Sequence, residues 1–278
     1  MFAIMLLAAL WFKGTTHVHT LESDGDAPPA QVAQWYRERG YHFIAITDHD
    51  KITELPSDEK FVVIRAEEVT DRLPKKPLHV NALGLREAVK PQGGATPVDV
   101  MQHNVDAIHA AGGLALLNHP NFGWALTLED LLRIERFDFL EIASGHPLVN
   151  VQGPPSVESM WDALLTSGRR VWGVAVDDSH HFVCPPPVSA ALPGQAWIVV
   201  RAEKLTSDAL LGAMKRGDFY ASTGVELEDV APGAIAIKAK SGAKYRTTFI
   251  GRGGRVLLET QELNARYTIR GDEGYVRA

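Results

Sequence analysis

The chain has 278 residues, with 28 Lys and Arg, 34 Asp and Glu, 11 His and one Cys, and its formal net charge is −6. A single cysteine excludes an intrachain disulfide and a metal site built mainly from thiolates, so a bound metal would need imidazole and carboxylate ligands. The acidic charge disfavours binding to long nucleic acids, which usually requires a basic surface. With 45% apolar and 22% charged residues, the composition is that of an ordinary globular protein.

The N-terminal run from Met1 to Phe12 is apolar and carries no charge. It is shorter than the ~20 apolar residues that cross a bilayer, and it lacks the basic residues that begin a secretory signal. The run fits an additional edge strand or buried arm as well as it fits a clipped export signal. The compartment, cytoplasm or periplasm, therefore stays open, and no other stretch is typical of a transmembrane segment.

Between residues 15 and 224, helices that end at glycine alternate with short apolar strands. Helices are predicted over 27–39, 98–111, 157–167 and 206–216, and a further helix is predicted where Thr127 forms a capping box with Asp130. Strands are predicted over 43–47, 61–64, 114–117, 139–142, 171–176 and 196–200. Apolar strands that alternate with helices are typical of an α/β fold with a parallel sheet covered by helices.

Two later segments depart from this alternation. Residues 182–194 are rich in proline and are predicted to form a long loop near the site. Residues 225–278 contain short alternating stretches between glycine-rich turns, which predicts a small β unit. They hold 9 basic and 7 acidic residues, whereas residues 1–224 hold 19 basic and 27 acidic residues and every histidine. We therefore predict two units, 1–224 and 225–278, with different roles.

Residues that can bind metals follow the predicted strands. They are Asp48-His49-Asp50, Glu67-Glu68, Asn118-His119, Gly145-His146 and Asp177-Asp178-Ser179-His180-His181. In α/β barrels the chemistry is located where the strands end. In an extended segment alternate residues share a face, so His17 and His19 point to the same side. In contrast, the chain positions of His42, His103 and His109 predict that these three lie outside any site.

A set of short motifs resembles the polymerase and histidinol phosphatase (PHP) family. In chain order they are Thr16-His17-Val18-His19-Thr20, Ser23-Asp24-Gly25, Thr47-Asp48-His49-Asp50, Glu68-Val69-Thr70, His79, His119-Pro120 and Asp178-Ser179-His180. The resemblance spans residues 15–181 and implies a distorted (β/α)7-type barrel, here followed by the small C-terminal β unit. Eight candidate strands lie between residues 15 and 202, so one of them is predicted to lie outside the barrel.

The resemblance also implies a set of metal ligands and two to three divalent ions, with manganese, iron and zinc all compatible with nitrogen and oxygen ligands. His17, His19, Glu68 and Asp178 would bind the first ion. Glu68 would also reach a second ion, together with His79 and His119. A third ion would be bound by Asp24, His49 and His180. Strand alternation would turn Glu67 to the opposite face from Glu68.

This ligand set predicts a metal-dependent hydrolase. Six imidazoles and three carboxylates with up to three divalent ions would form a positive pocket, which suits a small anionic substrate. The first interpretation is a phosphoesterase that cleaves a small phosphorylated compound by attack of a metal-activated hydroxide. No side chain is assigned as proton donor, and His146 and Asp177 are candidates for catalysis or substrate contact. Arg65 and Arg86 are predicted to be surface charges.

Two alternative functions stay open. The segments Trp11-Phe12-Lys13-Gly14 and Phe219-Tyr220-Ala221-Ser222-Thr223-Gly224 resemble the PHP branch that includes carbaryl hydrolase. This implies a hydrolase of a carbon ester, carbamate or amide, and also a fuller C-terminal β domain than residues 225–278 provide. The second alternative is a metal-binding scaffold without activity, which is disfavoured because all nine ligand positions are occupied. The sequence does not establish the oligomeric state.

Overall fold

A computed structural model describes residues 10–74, 76–150, 155–183, 186, 190–231, 236–239, 242 and 244–278. Most of the apolar N-terminal run, residues 1–9, lies outside the described residues, so both interpretations of that run stay predictions. None of the helices in the described part of the chain is long and apolar enough to cross a membrane.

The described residues form fourteen strands and six α-helices. The strands are β1 (Leu10–Thr15), β2 (Phe43–Ile46), β3 (Val62–Leu73), β4 (Lys76–Leu83), β5 (Leu114–Leu117), β6 (Phe139–Ser144), β7 (Trp172–Val176), β8 (Trp197–Ala202), β9 (Phe219–Ser222), β10 (Leu227–Ala231), β11 (Ala236–Ala239), β12 (Thr247–Gly251), β13 (Arg255–Thr260) and β14 (Asn264–Arg266). The helices are α1 (Pro29–Glu38), α2 (Pro97–Ala110), α3 (Leu128–Arg133), α4 (Pro147–Asn150), α5 (Val157–Thr166) and α6 (Ser207–Arg216).

Local sequence signals explain where several helices begin and end. The predicted capping box at the start of α3 is confirmed, since the Thr127 hydroxyl accepts from Asp130 N and Asp130 accepts from the Thr127 backbone. Thr96 and Asp99 form the same reciprocal box at the start of α2. Helix α6 ends at Gly217, whose φ of 81° is in the left-handed region that glycine adopts without strain. These signals place the helices of the barrel within a few residues of the predicted positions.

Nine strands form one sheet in the order β7-β6-β5-β4-β3-β2-β1-β8-β9. Strands β1, β2 and β3 are parallel, as are β5, β6 and β7, but β4 is antiparallel to both of its neighbours. The prediction of a parallel sheet is therefore wrong at β4, which the sequence patterns did not reveal as a strand. Only residues 74 and 75 separate β3 from β4, and a parallel connection needs a dozen residues or more.

The sheet closes into a barrel where the extensions of β1 and β7 meet. Val18 and Ser179 form a parallel bridge, in which His19 N donates to Ser179 O at 2.9 Å. Asp178 N also donates to His17 O at 3.1 Å. Strands β1 to β7 form the ring, and β8 and β9 continue the sheet outside it. The predicted fold class, a distorted (β/α)7-type barrel with a small C-terminal β unit, is confirmed, while the domain boundary at residue 224 stays a prediction.

Alternate residues of the barrel strands form an apolar floor and then the site above it. On β3, Ile64 and Ala66 belong to the same buried cluster as Phe139 of β6 and Val176 of β7. The next residue on the same face of β3 is Glu68. Outward-facing residues of the strands pack instead against the helices, for example Ile44 and Ile46 in a cluster with Val32 and Tyr36 of α1. This packing sets the position along the barrel axis at which polar side chains point inward.

The C-terminal unit consists of a three-stranded sheet, β10-β11-β14, and the hairpin β12–β13. Its attachment to the barrel centres on Asp162 of α5, which accepts hydrogen bonds from Tyr275 OH at 2.6 Å and from Arg277 Nε and Nη2 at 2.8 and 2.7 Å. Burial alone would raise the pKa of Asp162, but hydrogen bonds from Arg277 and Tyr275 outweigh it and lower that pKa. The ionised carboxylate therefore stabilises the folded chain.

We predict that Asp162→Asn lowers the free energy of unfolding at pH 7 by about 2–3 kcal/mol, because it weakens hydrogen bonds to a charged acceptor. Since folding lowers the pKa of Asp162, this contribution is present above the unfolded pKa of about 4 and is lost as pH falls through the lower folded value. The difference between variant and wild type in urea unfolding should therefore shrink below about pH 4.

Glu158→Gln is the matched control, because Glu158 also contacts Arg277, at 2.8 Å, but is 58% exposed. We expect Glu158→Gln to lower the free energy of unfolding by less than about 1 kcal/mol. Equal losses in the two variants, or a loss in Asp162→Asn that does not depend on pH, would contradict the assigned attachment.

Candidate metal centre

The nine side chains carried over from the motifs meet at one end of the barrel. Each belongs to at least one group of three whose ligand atoms all lie within 4.8 Å of one another. The set consists of His17, His19, Asp24, His49, Glu68, His79, His119, Asp178 and His180. Strands β1, β2, β3, β4, β5 and β7, or the loops that follow them, supply all nine. Side chains up to 163 residues apart in the chain, from His17 to His180, are thus brought together.

One group is formed by His17 and His19 with the buried carboxylates of Glu68 and Asp178. His17 Nε2 lies 3.1 Å from His19 Nε2, 3.5 Å from Glu68 Oε2 and 3.3 Å from Asp178 Oδ1. His19 Nε2 lies 3.3 Å from Glu68 Oε2 and 3.6 Å from Asp178 Oδ1. Four ligands about 2.1 Å from one divalent ion would be about 3.4 Å apart, so these separations fit a shared ion.

The second oxygen of Glu68 belongs to a neighbouring group. Glu68 Oε1 lies 2.9 Å from His79 Nδ1 and 3.6 Å from His119 Nε2. One carboxylate thus faces two sets of imidazoles with its two oxygens, which is the arrangement of a bridging ligand.

The third group lies at the mouth of the barrel around Asp24. Its Oδ2 is 3.4 Å from His49 Nε2, and its Oδ1 is 3.5 Å from His180 Nε2 and 3.3 Å from His19 Nδ1. Asp24 is exposed, unlike Glu68 and Asp178, which are buried. This group therefore forms the side of the centre that is open to solvent.

The carboxylates of the centre have histidines as their charged neighbours. Within the described part of the chain, no lysine or arginine forms an ion pair with Asp24, Glu68 or Asp178. Burial would raise the pKa of Glu68, but the surrounding histidines, chiefly His79 and His17, lower it well below its ordinary value. A buried carboxylate is costly unless it is paired or coordinates a metal. The donor set therefore fits divalent cations chemically as well as geometrically.

His17 and His19 differ in basicity. Burial would lower the pKa of His17, but Asp178, Glu141 and Glu68 outweigh it and raise that pKa well above its ordinary value. For His19, burial dominates and lowers the pKa to about 4, so that the ring is neutral near neutral pH and one of its two nitrogens carries no proton. Metal ligands must be deprotonated, so His19 is prepared to coordinate, whereas His17 would exchange a proton for an ion.

Glu141 is a buried carboxylate beside the cluster that the sequence patterns did not reveal. Its Oε1 lies 2.5 Å from His17 Nδ1, and its Oε2 accepts from His119 N at 2.8 Å. It is buried at the inner face of β6. A carboxylate on the second nitrogen of a metal-binding histidine orients the ring and makes it a better ligand. The one available signal was a single acidic residue within the apolar run Phe139-Leu140-Glu141-Ile142.

Two asparagines position Glu68. Asn118 Nδ2 donates to Glu68 Oε1 at 2.7 Å and lies 2.8 Å from Asn81 Oδ1. Asn81 Nδ2 in turn donates to Thr16 O at 3.0 Å, beside the first histidine. Strands β4 and β5 therefore link the bridging carboxylate to the segment that carries His17.

Asp48, within the motif Thr47-Asp48-His49, stabilises the loop that holds Asp24. The Asp48 carboxylate accepts from Thr20 N at 2.7 Å, Thr20 Oγ1 at 2.7 Å, Ser23 Oγ at 2.8 Å and Thr53 Oγ1 at 2.5 Å. It is completely buried. The motif therefore combines a side chain that fixes the loop with His49, which faces the centre.

The two catalytic candidates differ in their surroundings. The Asp177 carboxylate is buried and accepts from Tyr36 OH at 2.7 Å and from three backbone N–H groups of residues 194–196 at 2.7–2.9 Å. This arrangement favours a structural role in holding the loop before β8. His146 is partly buried, its ring lies 5.8 Å from that of His180, and burial lowers its pKa. It thus borders the centre without belonging to the nine.

Glu67 lies on the opposite face of β3 from Glu68, as strand alternation predicts. It is buried, and its Oε1 accepts from Val89 N at 2.5 Å. Burial raises the pKa of Glu67 to about 7. His181, next to His180, accepts from Ala191 N at 3.2 Å through Nδ1. In each adjacent pair, the residue that is not part of the cluster, Glu67 or His181, therefore bonds to the backbone outside it.

The residues predicted to lie outside the site are found outside it. His42 Nδ1 accepts from Lys13 N, His103 Nδ1 lies 2.8 Å from Gly93 O, and His109 Nε2 lies 2.8 Å from Asp138 Oδ2. Arg65 pairs with Glu54 and donates to Leu85 O, and Arg86 is exposed. Part of the predicted loop 182–194 lies outside the described residues, so its role near the site stays a prediction.

Solved structures share this fold at low sequence identity. A two-domain protein from Bacteroides vulgatus that contains a predicted PHP-like metal-dependent phosphoesterase superposes with a TM-score of 0.55 and 16% identity, over 93% of this chain and 85% of that chain. The chain has a PHP-like fold. PsfC from Pseudomonas syringae gives a TM-score of 0.52 and 12% identity, over 77% of this chain and 92% of that chain. Similarity at this level establishes the fold alone.

A weaker similarity is found to the lesion-specific endonuclease EndoQ from Pyrococcus furiosus, with a TM-score of 0.48 and 14% identity over 76% of this chain and 58% of that chain. This similarity is too low to bear on function. No protein-family model matches the sequence, and no curated protein matches it. The narrower resemblance to the branch that includes carbaryl hydrolase stays a prediction.

We predict that Glu141→Gln weakens manganese binding by about 10–100-fold, because the neutral amide no longer holds His17 in its coordinating tautomer. Competition with a fluorescent chelator measures the change. Glu135→Gln, an exposed substitution after α3, is the control and should bind manganese like the wild type. Unchanged affinity in a folded Glu141→Gln protein would show that Glu141 does not support the centre.

Proposed function

We propose that the chain is a metal-dependent hydrolase and that its substrate is a small phosphorylated compound. The observation that carries the proposal is the position of His17 Nε2 and His19 Nε2, which lie 3.1 Å apart and each 3.3–3.6 Å from Glu68 Oε2 and from Asp178 Oδ1. Their separations match the spacing of ligands around one divalent ion, and no arginine or lysine in the described part of the chain is paired with the carboxylates.

The proposed ligands divide into three groups. His17, His19, Glu68 and Asp178 hold one ion, Glu68 also reaches an ion shared with His79 and His119, and Asp24, His49 and His180 hold a third. Two to three divalent ions of manganese, iron or zinc suit these nitrogen and oxygen donors. When bound, such ions supply the Lewis acidity, and the lowered pKa of water, that phosphoester hydrolysis requires.

The surrounding residues keep this arrangement in place during a reaction. Glu141 orients the His17 ring, and Asn118 donates to the Glu68 oxygen that also faces His79 and His119. Asp48 fixes the loop that presents Asp24 at the open side. We propose His146 as a substrate contact, because its ring borders that of His180 while it takes no part in the cluster.

Two observations support a small anionic substrate over other hydrolase substrates. Cavities of about 210 and 350 Å³ border the centre at His119 and at His79, a size suited to a sugar or nucleoside rather than to a polymer. Nine ligands supply three negative charges, so two or three divalent ions would leave the centre positive. A positive centre stabilises a phosphate in its ground state and in the transition state.

The second candidate function is hydrolysis of a carbon ester, carbamate or amide at the same centre. It is supported by the two segments that resemble the carbaryl hydrolase branch, which lie close together in the structure. Trp11 of β1 and Tyr220 of β9 make an edge contact with ring centroids 5.7 Å apart. A metal-binding scaffold without activity is the third candidate.

A substrate panel distinguishes these functions. We expect the manganese-loaded protein to hydrolyse p-nitrophenyl phosphate and small natural phosphomonoesters. It should show little turnover of p-nitrophenyl acetate and naphthyl carbamates. Turnover confined to carbon esters or carbamates would establish the second candidate, and no turnover with full metal content would establish the scaffold.

We predict that His17→Ala, Glu68→Ala and Asp178→Ala each lower kcat/KM by more than about a hundredfold and reduce the metal content, since loss of a ligand exceeds the loss of a supporting contact. His103→Ala, which removes an exposed histidine outside the cluster, is the control and should keep both. Activity at the wild-type level in any of the three ligand variants would remove that residue from the proposed set.

A further inference from the structure

The hairpin formed by β3 and β4 extends from the metal centre toward solvent. Its register pairs Glu68 with Asn81, Thr70 with His79 and Arg72 with Pro77. Because alternate residues of a strand share a face, Glu68, Thr70 and Arg72 lie in a row on one side of β3. The row begins at the bridging carboxylate and ends at an arginine.

A cavity of about 350 Å³ lies against this hairpin and is bordered by Thr70, Arg72, Lys76 and His79, among others. His79 Nδ1 is 2.9 Å from Glu68 Oε1, and Thr70 Oγ1 is 2.5 Å from His49 Nδ1. Two residues that touch the centre therefore also border the cavity. The cavity therefore adjoins the centre at His79 and Thr70.

Among the described residues that border this cavity, basic residues outnumber acidic ones, and the basic groups have more N–H donors free to bind a ligand. Arg72 is exposed, and its guanidinium makes no hydrogen bond or ion pair with any residue that the structure describes. The Lys76 ammonium donates to Ala125 O at 3.2 Å, which leaves two of its three N–H groups available.

Asp71, the one acidic residue among the described residues that border the cavity, is already engaged. Asp71 Oδ1 accepts from Arg72 N at 2.8 Å, and Asp71 Oδ2 accepts from Gly93 N at 2.8 Å and from Asn104 Nδ2 at 3.4 Å. Its carboxylate therefore points toward the segment before α2. The available charge at the cavity is positive.

We propose that Arg72 and Lys76 bind a second anionic group of the substrate, a carboxylate or a second phosphate, while the scissile phosphate lies at the metal centre. This inference rests on the proposed function and narrows its substrate class to phosphoesters with two anionic groups. The guanidinium presents paired N–H donors that match the oxygens of a carboxylate or phosphate, and the lysine adds a point charge.

The spacing along β3 sets the size of the substrate. Glu68 and Arg72 are four residues apart, which corresponds to about 13 Å between their Cα atoms. The long Arg72 side chain borders the cavity, so its guanidinium is within reach of a substrate of roughly the length of a small sugar. A compact phosphomonoester with no second anion leaves Arg72 without a partner.

Matched ligand pairs test the proposal. Phosphoglycerate and glycerol phosphate differ by a carboxylate, and a hexose bisphosphate and the corresponding monophosphate differ by a phosphate, so the two pairs separate the two anion sources. In the manganese-loaded wild type, we expect the ligand with the second anion to bind at least about tenfold more tightly than its partner in one pair or both. This is the size of effect that one charge-assisted contact produces. Isothermal titration gives the Kd values, and phosphate release gives KM and kcat.

Arg72→Gln should abolish that preference, so that the two members of a pair bind with about equal Kd. The values of kcat and KM for the singly charged member should change less than about twofold. Arg86→Gln removes an exposed arginine at the other end of β4, and it should leave the preference unchanged. A wild type with no preference in either pair, or a preference that Arg72→Gln retains, overturns the proposal. Tighter binding of the ligands with a second anion, without hydrolysis of any phosphoester, would reject the proposed function but support the anion subsite.

Discussion

The centre of this protein depends on the burial of one carboxylate, Glu68, among histidines. A carboxylate removed from water must be paired with opposite charge or bind a metal, and the penalty otherwise amounts to several kcal/mol. In the structure four imidazole nitrogens lie within 3.5 Å of its two oxygens, and Asn118 donates to one of them. The barrel provides these neighbours because its strands converge, and its apolar floor lies directly below.

This constraint explains why polar residues in the barrel occur in adjacent pairs with different roles. Glu68 and Asp178 face the centre, whereas their neighbours Glu67 and Asp177 point away and accept backbone N–H groups. The Glu67–Glu68 pair lies within β3, where consecutive side chains take opposite faces, and the Asp177–Asp178 pair follows β7, where Asp178 has a φ of 47°. One member thus contributes to the centre and the other fixes the backbone that carries it.

Much of the fold and of the centre could be predicted because the decisive patterns are local. Apolar strands, glycine stops and the Thr127 box predicted the barrel elements, and the spacing of His17 and His19 placed both on one face. Strand β4 was missed because Pro77, His79 and Asn81 break its apolar pattern, and its antiparallel direction follows from a two-residue connection. Glu141 was missed because its partner, His17, is 124 residues away, and no local pattern records such a contact.

The position of β4 also connects the centre with the proposed anion subsite. Strand β4 brings His79 to the second oxygen of Glu68, and its hairpin with β3 places Arg72 and Lys76 beside a cavity that borders the same histidine. The antiparallel strand β4, which departs from a parallel sheet, therefore gives the barrel an open, positively charged side. A regular helical crossover at this point would have covered it.

The most direct test of the account is anomalous diffraction from crystals grown with manganese chloride, recorded on both sides of the manganese absorption edge. The account predicts an anomalous peak within bonding distance of Glu68 Oε2, His17 Nε2, His19 Nε2 and Asp178 Oδ1. It also predicts at least one further peak, either beside His79 and His119 or beside Asp24, His49 and His180. A well-ordered structure in which manganese binds elsewhere, or in which Glu68 has no anomalous peak beside it, would contradict the account.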